Sequence, residues 1–115
     1  AGQAITTGSF NIAIGKSALN TEDTGSGNVG IGRNALNSAN YDGSAYNLAI
    51  GYNSGYSVST GVQNVILGGL AGDAVTTGSN NIIIGYNAAA SAVDVSNEVT
   101  IGDSNISTVR IPSDQ

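Results

Sequence analysis

The chain has 115 residues, of which 10% are charged and 17 are glycine, and its formal net charge is −5. Histidine and cysteine are absent, which removes the commonest general base, the thiolate nucleophile and the usual nitrogen and sulfur metal ligands. With three basic residues and no apolar run of about eighteen residues, we expect a non-enzymatic protein with no cofactor, no metal, no nucleic-acid partner and no membrane insertion.

A five-residue motif, Asn-aliphatic-x-aliphatic-Gly, recurs along the chain and defines its repeat. The motif glycines are 17 residues apart, except for one interval of 19 whose two extra residues fall in 40–43. This period predicts a parallel β-solenoid of about six coils. The motif asparagines are Asn11, Asn28, Asn47, Asn64 and Asn81, with Glu98 in the sixth copy, and the glycines are Gly15, Gly32, Gly51, Gly68, Gly85 and Gly102.

Each repeat is predicted to contain a strand, a short loop, a second short strand and a corner. Aliphatic residues stand three and one positions before each motif glycine, which is the period-two pattern of a strand with one buried face. We predict that the second of these positions forms one continuous buried column, made of Ile14, Ile31, Ile50, Leu67, Ile84 and Ile101. Three residues after the glycine, small side chains predict close packing at Ala18, Ala35, Ser54, Ala71, Ala88 and Asn105.

Three polar features of the repeat are interpreted as structural. The motif asparagines are expected to stack as a hydrogen-bonded ladder. A Thr-Gly pair before four of the motifs is expected to place glycine at a tight corner with a positive φ, at Gly8, Gly25, Gly61 and Gly78. The acidic residues are predicted to be solvated turn residues rather than the paired carboxylates of a glycosidase, at Glu22, Asp23, Asp42, Asp73, Asp94, Asp103 and Asp114.

The repeats predict a solenoid domain over residues 1–110, followed by a C-terminal tail over 111–115. Residues 1–8 match 71–78, so the chain begins within a repeat and more coils are expected to precede it. Pro112 cannot donate a ladder hydrogen bond, which predicts that the solenoid ends near it. A thin coil buries too few aliphatic side chains to offset its conformational entropy, so we expect neighbouring chains to complete the core.

The tyrosines are the candidate receptor-binding residues, because aromatic rings stack on sugar faces and carry a hydrogen-bonding hydroxyl. Four of the five lie between positions 41 and 56, around the two-residue insertion. The alternative interpretation is that the rings cover the outer surface or fill grooves between chains. Ice binding and calcium binding are disfavoured, since the threonine pairs are interrupted and the calcium-binding nonapeptide is missing. The candidates are Tyr41, Tyr46, Tyr52, Tyr56 and Tyr86.

The units 11–19, 28–36 and 81–88 resemble the repeats of bacteriophage tail fibres, and they are similar to the head repeats of trimeric autotransporter adhesins. The resemblance covers about residues 1–110 and implies a left-handed β-roll that assembles as a homotrimer. Residues 96–112 look like the end of such repeats in phage fibres, which favours that family.

The phage-fibre resemblance implies a structural segment in the virion or at an extracellular surface. Its expected partners are two further copies of the chain, other virion or fibre proteins and a host-surface polysaccharide. The alternative is the head module of a bacterial trimeric surface adhesin. A third hypothesis is an enzyme that acts on polysaccharide.

Overall fold

The computed structural model describes residues 1–22 and 24–113, which form one parallel β-solenoid of about five turns. The six strands stack in sequence order in a single sheet. The described residues contain no helix and therefore none that is long and apolar enough to cross a membrane. The predicted all-β solenoid is confirmed, with strands β1 Ile12–Ile14, β2 Val29–Ile31, β3 Leu48–Ile50, β4 Val65–Leu67, β5 Ile82–Ile84 and β6 Val99–Ile101.

The motif sets the register of the sheet. Ile14 pairs with Ile31 and Ile31 with Ile50, although the first interval is 17 residues and the second is 19. The longer coil keeps this register because its extra residues stay outside the sheet, where 40–44 are exposed. A separate parallel bridge between Ser26 and Ser44 closes the coil again before β3 begins.

The second strand that we predicted in each repeat is wrong for the described residues, where turns take its place. Leu19 and Leu36 adopt φ values of 47° and 49°, and a left-handed residue interrupts an extended segment. The turns are still hydrogen-bonded between coils, with Leu19 N–H donating to the Ala35 carbonyl at 3.0 Å and Leu36 N–H to that of Ser54 at 3.0 Å. Each coil therefore has a strand on one side and turns on the other.

The motif glycine is required for two separate reasons at the end of each strand. Gly15 has a φ of 115° and Gly51 one of 138°, a region that side chains disfavour. A Cβ on Gly15 would also lie 2.7 Å from the carbonyl carbon of Gly32 in the next coil. The corner thus needs both a positive φ and an absent side chain.

The predicted positive φ of the Thr-Gly glycines is wrong. Gly8 and Gly61 lie outside the left-handed region, and a Cβ on either would overlap the carbonyl oxygen of the glycine in the next coil. The left-handed residues come two positions later, as at Gln63 with φ 60° and Asn80 with φ 57°. Close stacking of the coils, rather than backbone conformation, selects glycine after threonine.

The large side chains that fill the interior of the solenoid come from different sides of the coil in different repeats. In the early coils large side chains come from the turns, and Leu19 and Leu36 are fully buried. In the later coils they come from the strands, as Ile66 and Ile83, while glycine takes over in the turns. The tight column after the motif glycine is observed in five coils, where Ala18, Ala35, Ser54, Ala71 and Ala88 are 0% exposed, but Asn105 is exposed.

Candidate functional site

An outward-facing aliphatic face runs the length of the sheet, and seven of its twelve side chains are exposed while five, in β2 to β4, are half-buried. It consists of the first and third residues of every strand, which are isoleucine, valine or leucine at all twelve positions. Ile14 is 56% exposed and Ile101 is 53% exposed. The face comprises Ile12, Ile14, Val29, Ile31, Leu48, Ile50, Val65, Leu67, Ile82, Ile84, Val99 and Ile101.

The predicted buried column is therefore wrong for the single chain, because the strand has the opposite orientation. The middle residue of each strand points inward, and Ala49, Ile66 and Ile83 are 0% exposed. Only this one residue of each strand fits between the strand and the turns of a thin coil, so the two aliphatic neighbours must point outward. The compensating sizes of Gly30 and Leu19, which meet inside the coil, were the sequence signal that could have indicated this orientation.

The face has the composition of a contact surface rather than of a solvated one. A strand with one face in water normally alternates hydrophobic and polar residues, so that its exposed face is polar. Here no polar side chain interrupts the two outward columns through six coils. The surface lies parallel to the axis along which the coils stack, so a second identical face could align with it over its whole length.

The motif asparagines form a ladder next to this face, with bonds that run mainly from side chain to backbone. Asn47 Oδ1 accepts from the Asn64 N–H at 3.0 Å. Its Nδ2 donates to the carbonyl of Gly61 at 2.8 Å, fourteen residues further along the chain. Asn64 repeats both bonds, with the Asn81 N–H at 3.0 Å and with the Gly78 carbonyl at 2.9 Å. Each side chain thus joins its own coil to the next.

Glu22 completes the ladder where the 19-residue interval interrupts it. Position 42, fourteen residues after Asn28, lies in the exposed insertion, and Asn28 Nδ2 donates instead to Glu22 Oε2 at 3.1 Å. Glu22 Oε1 accepts from the Gly25 N–H at 2.8 Å, and the residue is 0% exposed. The prediction that Glu22 is a solvated turn acid is wrong, because a buried acceptor is needed at this coil.

Glu98 ends the ladder at the last coil. Its N–H donates to Asn81 Oδ1 at 3.0 Å, as an asparagine in that position would. Its carboxylate accepts from the Ser91 hydroxyl at 2.5 Å, the Ser91 N–H at 2.8 Å and the Thr100 hydroxyl at 3.1 Å. The hydrogen bonds from the Ser91 hydroxyl and then its N–H lower the pKa of Glu98 below its ordinary value. A carboxylate suits this end because it has no amide hydrogens that need an acceptor in a following coil.

The remaining described acids are aspartates that differ in their exposure. Asp42 and Asp94 are exposed, and Asp73 and Asp103 are half-buried. Asp42 accepts a hydrogen bond from the Thr24 hydroxyl at 2.5 Å. Asp23 and Asp114 lie outside the described residues.

A small cavity of about 200 Å³ lies at the C-terminal coils, lined mainly by alanine and valine. Ser91 supplies its one polar side chain, and that hydroxyl already donates to Glu98. Ala92 stands where the two previous coils have Val58 and Val75, so the loss of a larger side chain leaves this space. Apart from Ser91, the residues that line the cavity are glycine, alanine and valine.

The tyrosines are exposed, and three of their rings lie against a residue of an adjacent coil. Tyr46 lies over Gly27, and the Arg33 guanidinium carbon is 5.9 Å from the centre of the Tyr52 ring. The Tyr86 ring lies over Gly69. Each of these contacts joins residues of adjacent coils, and the receptor-binding role of the tyrosines stays a prediction. The exposed fractions are 37% for Tyr41, 61% for Tyr46, 50% for Tyr52, 40% for Tyr56 and 70% for Tyr86.

Comparison of the chain with protein-family models, with curated proteins and with solved structures gave no match. The resemblance to fibre and adhesin repeats therefore depends on the repeat motif itself. The aliphatic face, the asparagine ladder and the exposed tyrosines are the features on which a function can be proposed.

Proposed function

We propose that this chain is a non-enzymatic structural segment of a phage tail fibre or related virion fibre, assembled as a parallel homotrimer. The observation that carries the proposal is the exposed aliphatic face along the coil axis. Burial of apolar surface favours association by about 25 cal/mol per Å². Three copies that turn these faces toward a common axis would bury the twelve outward aliphatic side chains of each chain.

The geometry of the solenoid supports a parallel arrangement with closed symmetry. Adjacent coils are separated by one interstrand spacing, about 4.8 Å, so identical chains side by side have matching repeats. Closed rotational assemblies are the usual form of soluble homo-oligomers. Three copies are chosen because the resemblance to fibre and adhesin repeats implies that number. The tyrosines remain exposed in the single chain, and we propose that they contribute to adhesion to a host-surface glycan.

A bacterial trimeric adhesin head is the second candidate, because the same repeat and the same aliphatic face would serve it equally well. The stretch 96–112, which resembles the end of phage-fibre repeats, favours the virion. Antibodies against the chain, used in electron microscopy, should label the tails of phage particles. Label on bacterial surfaces and not on particles would select the adhesin.

The assembly is tested by replacing Ile50 on the aliphatic face with aspartate. Three chains of 11.4 kDa give about 34 kDa, and we expect sedimentation equilibrium to show this mass for the wild type. Ile50→Asp would bury a charge without a partner in the trimer, so it should abolish assembly. The control is Thr60→Asp, which adds the same charge at an exposed position outside the face and should leave the trimer intact. A stable wild-type monomer that retains β-structure would contradict the proposal.

A further inference from the structure

A row of residues directly after the motif glycines differs from the rest of the surface, and we call it the corner strip. The backbone holds neighbouring members together. The Lys16 carbonyl accepts from Asn34 N–H at 2.8 Å, and the Arg33 carbonyl accepts from Asn53 N–H at 2.9 Å. Adjacent members are thus about 4.8 Å apart. The corner strip consists of Lys16, Arg33, Tyr52, Gly69, Tyr86 and Asp103.

The first two members concentrate positive charge on an acidic chain. Lys16 and Arg33 are two of only three basic residues in a protein of net charge −5, and both are exposed. The third, Arg110, lies beyond the last strand. Like charges on neighbouring strands repel one another, and at this spacing they act well within the Debye length of about 8 Å. A bound anion would relieve that repulsion.

The next members add an aromatic surface to this charge. The Arg33 guanidinium carbon is 5.9 Å from the centre of the Tyr52 ring, which orients the cation above an exposed ring. Further along, the Tyr86 ring lies 3.6 Å from the place where Gly69 would carry a Cβ. Because Gly69 has no side chain, the Tyr86 ring can lie along the strip toward Tyr52. The strip therefore presents two cations followed by two tyrosine rings.

We propose that the corner strip binds an anionic polysaccharide. Carboxylate or sulfate groups would lie at Lys16 and Arg33, because the planar guanidinium accommodates such oxyanions through two parallel hydrogen bonds. The faces of sugar rings would stack on Tyr52 and Tyr86. From Lys16 to Tyr86 there are four interstrand steps, about 19 Å, which suits an oligosaccharide rather than one sugar. This inference rests on the adhesive role proposed above and specifies the class of glycan.

The proposal is tested by calorimetric titration of the full chain with three oligosaccharides. Oligogalacturonate carries carboxylates, a dextran sulfate oligomer carries sulfates, and methyl-esterified oligogalacturonate is the neutral counterpart of the first. We expect an anionic oligosaccharide to bind about tenfold more tightly than the neutral one, and Arg33→Gln to lose most of that difference. Lys16→Gln should weaken anion binding in the same direction. Arg110→Gln makes the same charge change outside the strip and should bind like the wild type.

Preference for the carboxylated or for the sulfated ligand would identify the anionic group, and either result supports the proposal. Equal affinity for charged and neutral oligosaccharides would overturn it, as would equal losses in Arg33→Gln and Arg110→Gln or no binding at millimolar concentration. Sedimentation of the same samples separates this result from the fate of the fibre proposal. A trimer that binds no anionic glycan contradicts only the corner-strip proposal, whereas a folded monomer contradicts the assembly itself.

Discussion

Among single residues, Asn64 shows how the asparagine ladder links adjacent coils through hydrogen bonds. Its side chain is fully buried and makes three bonds, with the Asn81 N–H, the Gly78 carbonyl and Asn47 Oδ1. Water cannot replace these partners without entering the coil. The cost of losing the side chain is therefore set by the backbone groups left unpaired rather than by the amide itself.

We expect Asn64→Ala to destabilise the chain by about 2 to 4 kcal/mol, because it leaves a buried N–H and a buried carbonyl without partners. Asn40→Ala is the control, since Asn40 is exposed and its backbone N–H, which donates to Ser59, is retained. That change should stay within about 0.5 kcal/mol. Urea unfolding at equal protein concentration measures both, and similar losses in the two variants would show that the ladder contributes little.

Glu98 should make the last coil sensitive to acid. Its pKa is lowered in the folded chain by hydrogen bonds from Ser91, so the folded state favours the ionised form. Its stabilising effect is full above the unfolded pKa of about 4.3 and is lost as the pH falls through the lower folded pKa. The protection of backbone amides near Ser91 against hydrogen exchange, relative to their intrinsic rates, should fall over that acid range in the wild type. Glu98→Gln should remove this pH dependence, and an unchanged profile would mean that another group is responsible.

At the scale of the element, each strand divides its three residues between two environments. The middle residue fills the coil, and the outer two form the aliphatic face. Leu19 and Leu36 fill the early coils from the turns, and Ile66 and Ile83 fill the later coils from the strands. The interior therefore stays filled along the solenoid. Protein interiors are close-packed, so either side can supply the volume only when the other side is small.

Ile83 tests this division of the strand. Ile83→Ala should cost about 2 to 5 kcal/mol, because it removes a fully buried side chain and leaves a cavity against Gly72. Ile83→Val should cost only about 0.5 to 1.5 kcal/mol. Denaturant unfolding of the two variants measures the difference. If alanine were tolerated as well as valine, the middle position would not be the interior one.

At the scale of the whole molecule, the solenoid encloses only a narrow interior, because one sheet packs directly against short turns. The overall extents are 50 × 28 × 24 Å. Much of the aliphatic content of the strands lies outside that interior. A trimer would convert the exposed face into a second core between chains. Stability would then depend on the association of chains as well as on the fold of each one.

This dependence predicts that dilution lowers the midpoint of thermal unfolding. Dissociation and unfolding should occur together, with released monomers losing their β-structure, because the aliphatic face has no other partner. Circular dichroism at several protein concentrations, over at least a hundredfold range, measures the shift. A midpoint that does not change with concentration would indicate that the single chain is the stable unit.

The sequence alone determined the repeat, the parallel stacking and the strand positions, because a 17-residue period and a strict glycine column leave few other arrangements. It also indicated the asparagine ladder and the tight column at Ala35 and Ala71. Candidate tyrosines could be named from their chemistry, but the contact between Arg33 and the Tyr52 ring could not, because it joins residues of different coils.

Only the tertiary structure decided which side of each strand faces inward, and it reversed the prediction for Ile14 and Ile50. The strands alternate between large aliphatic and mostly small apolar residues. Because both sets are apolar, the alternation does not specify which set faces the interior. The distance across the coil decides it, because only one side chain per strand fits against the turns. The same packing buries Glu22. Its carboxylate accepts the hydrogen bond from Asn28 that a backbone carbonyl accepts in the regular coils, because the insertion after Asn40 interrupts the repeat there. Such a requirement exists only once the coils are stacked.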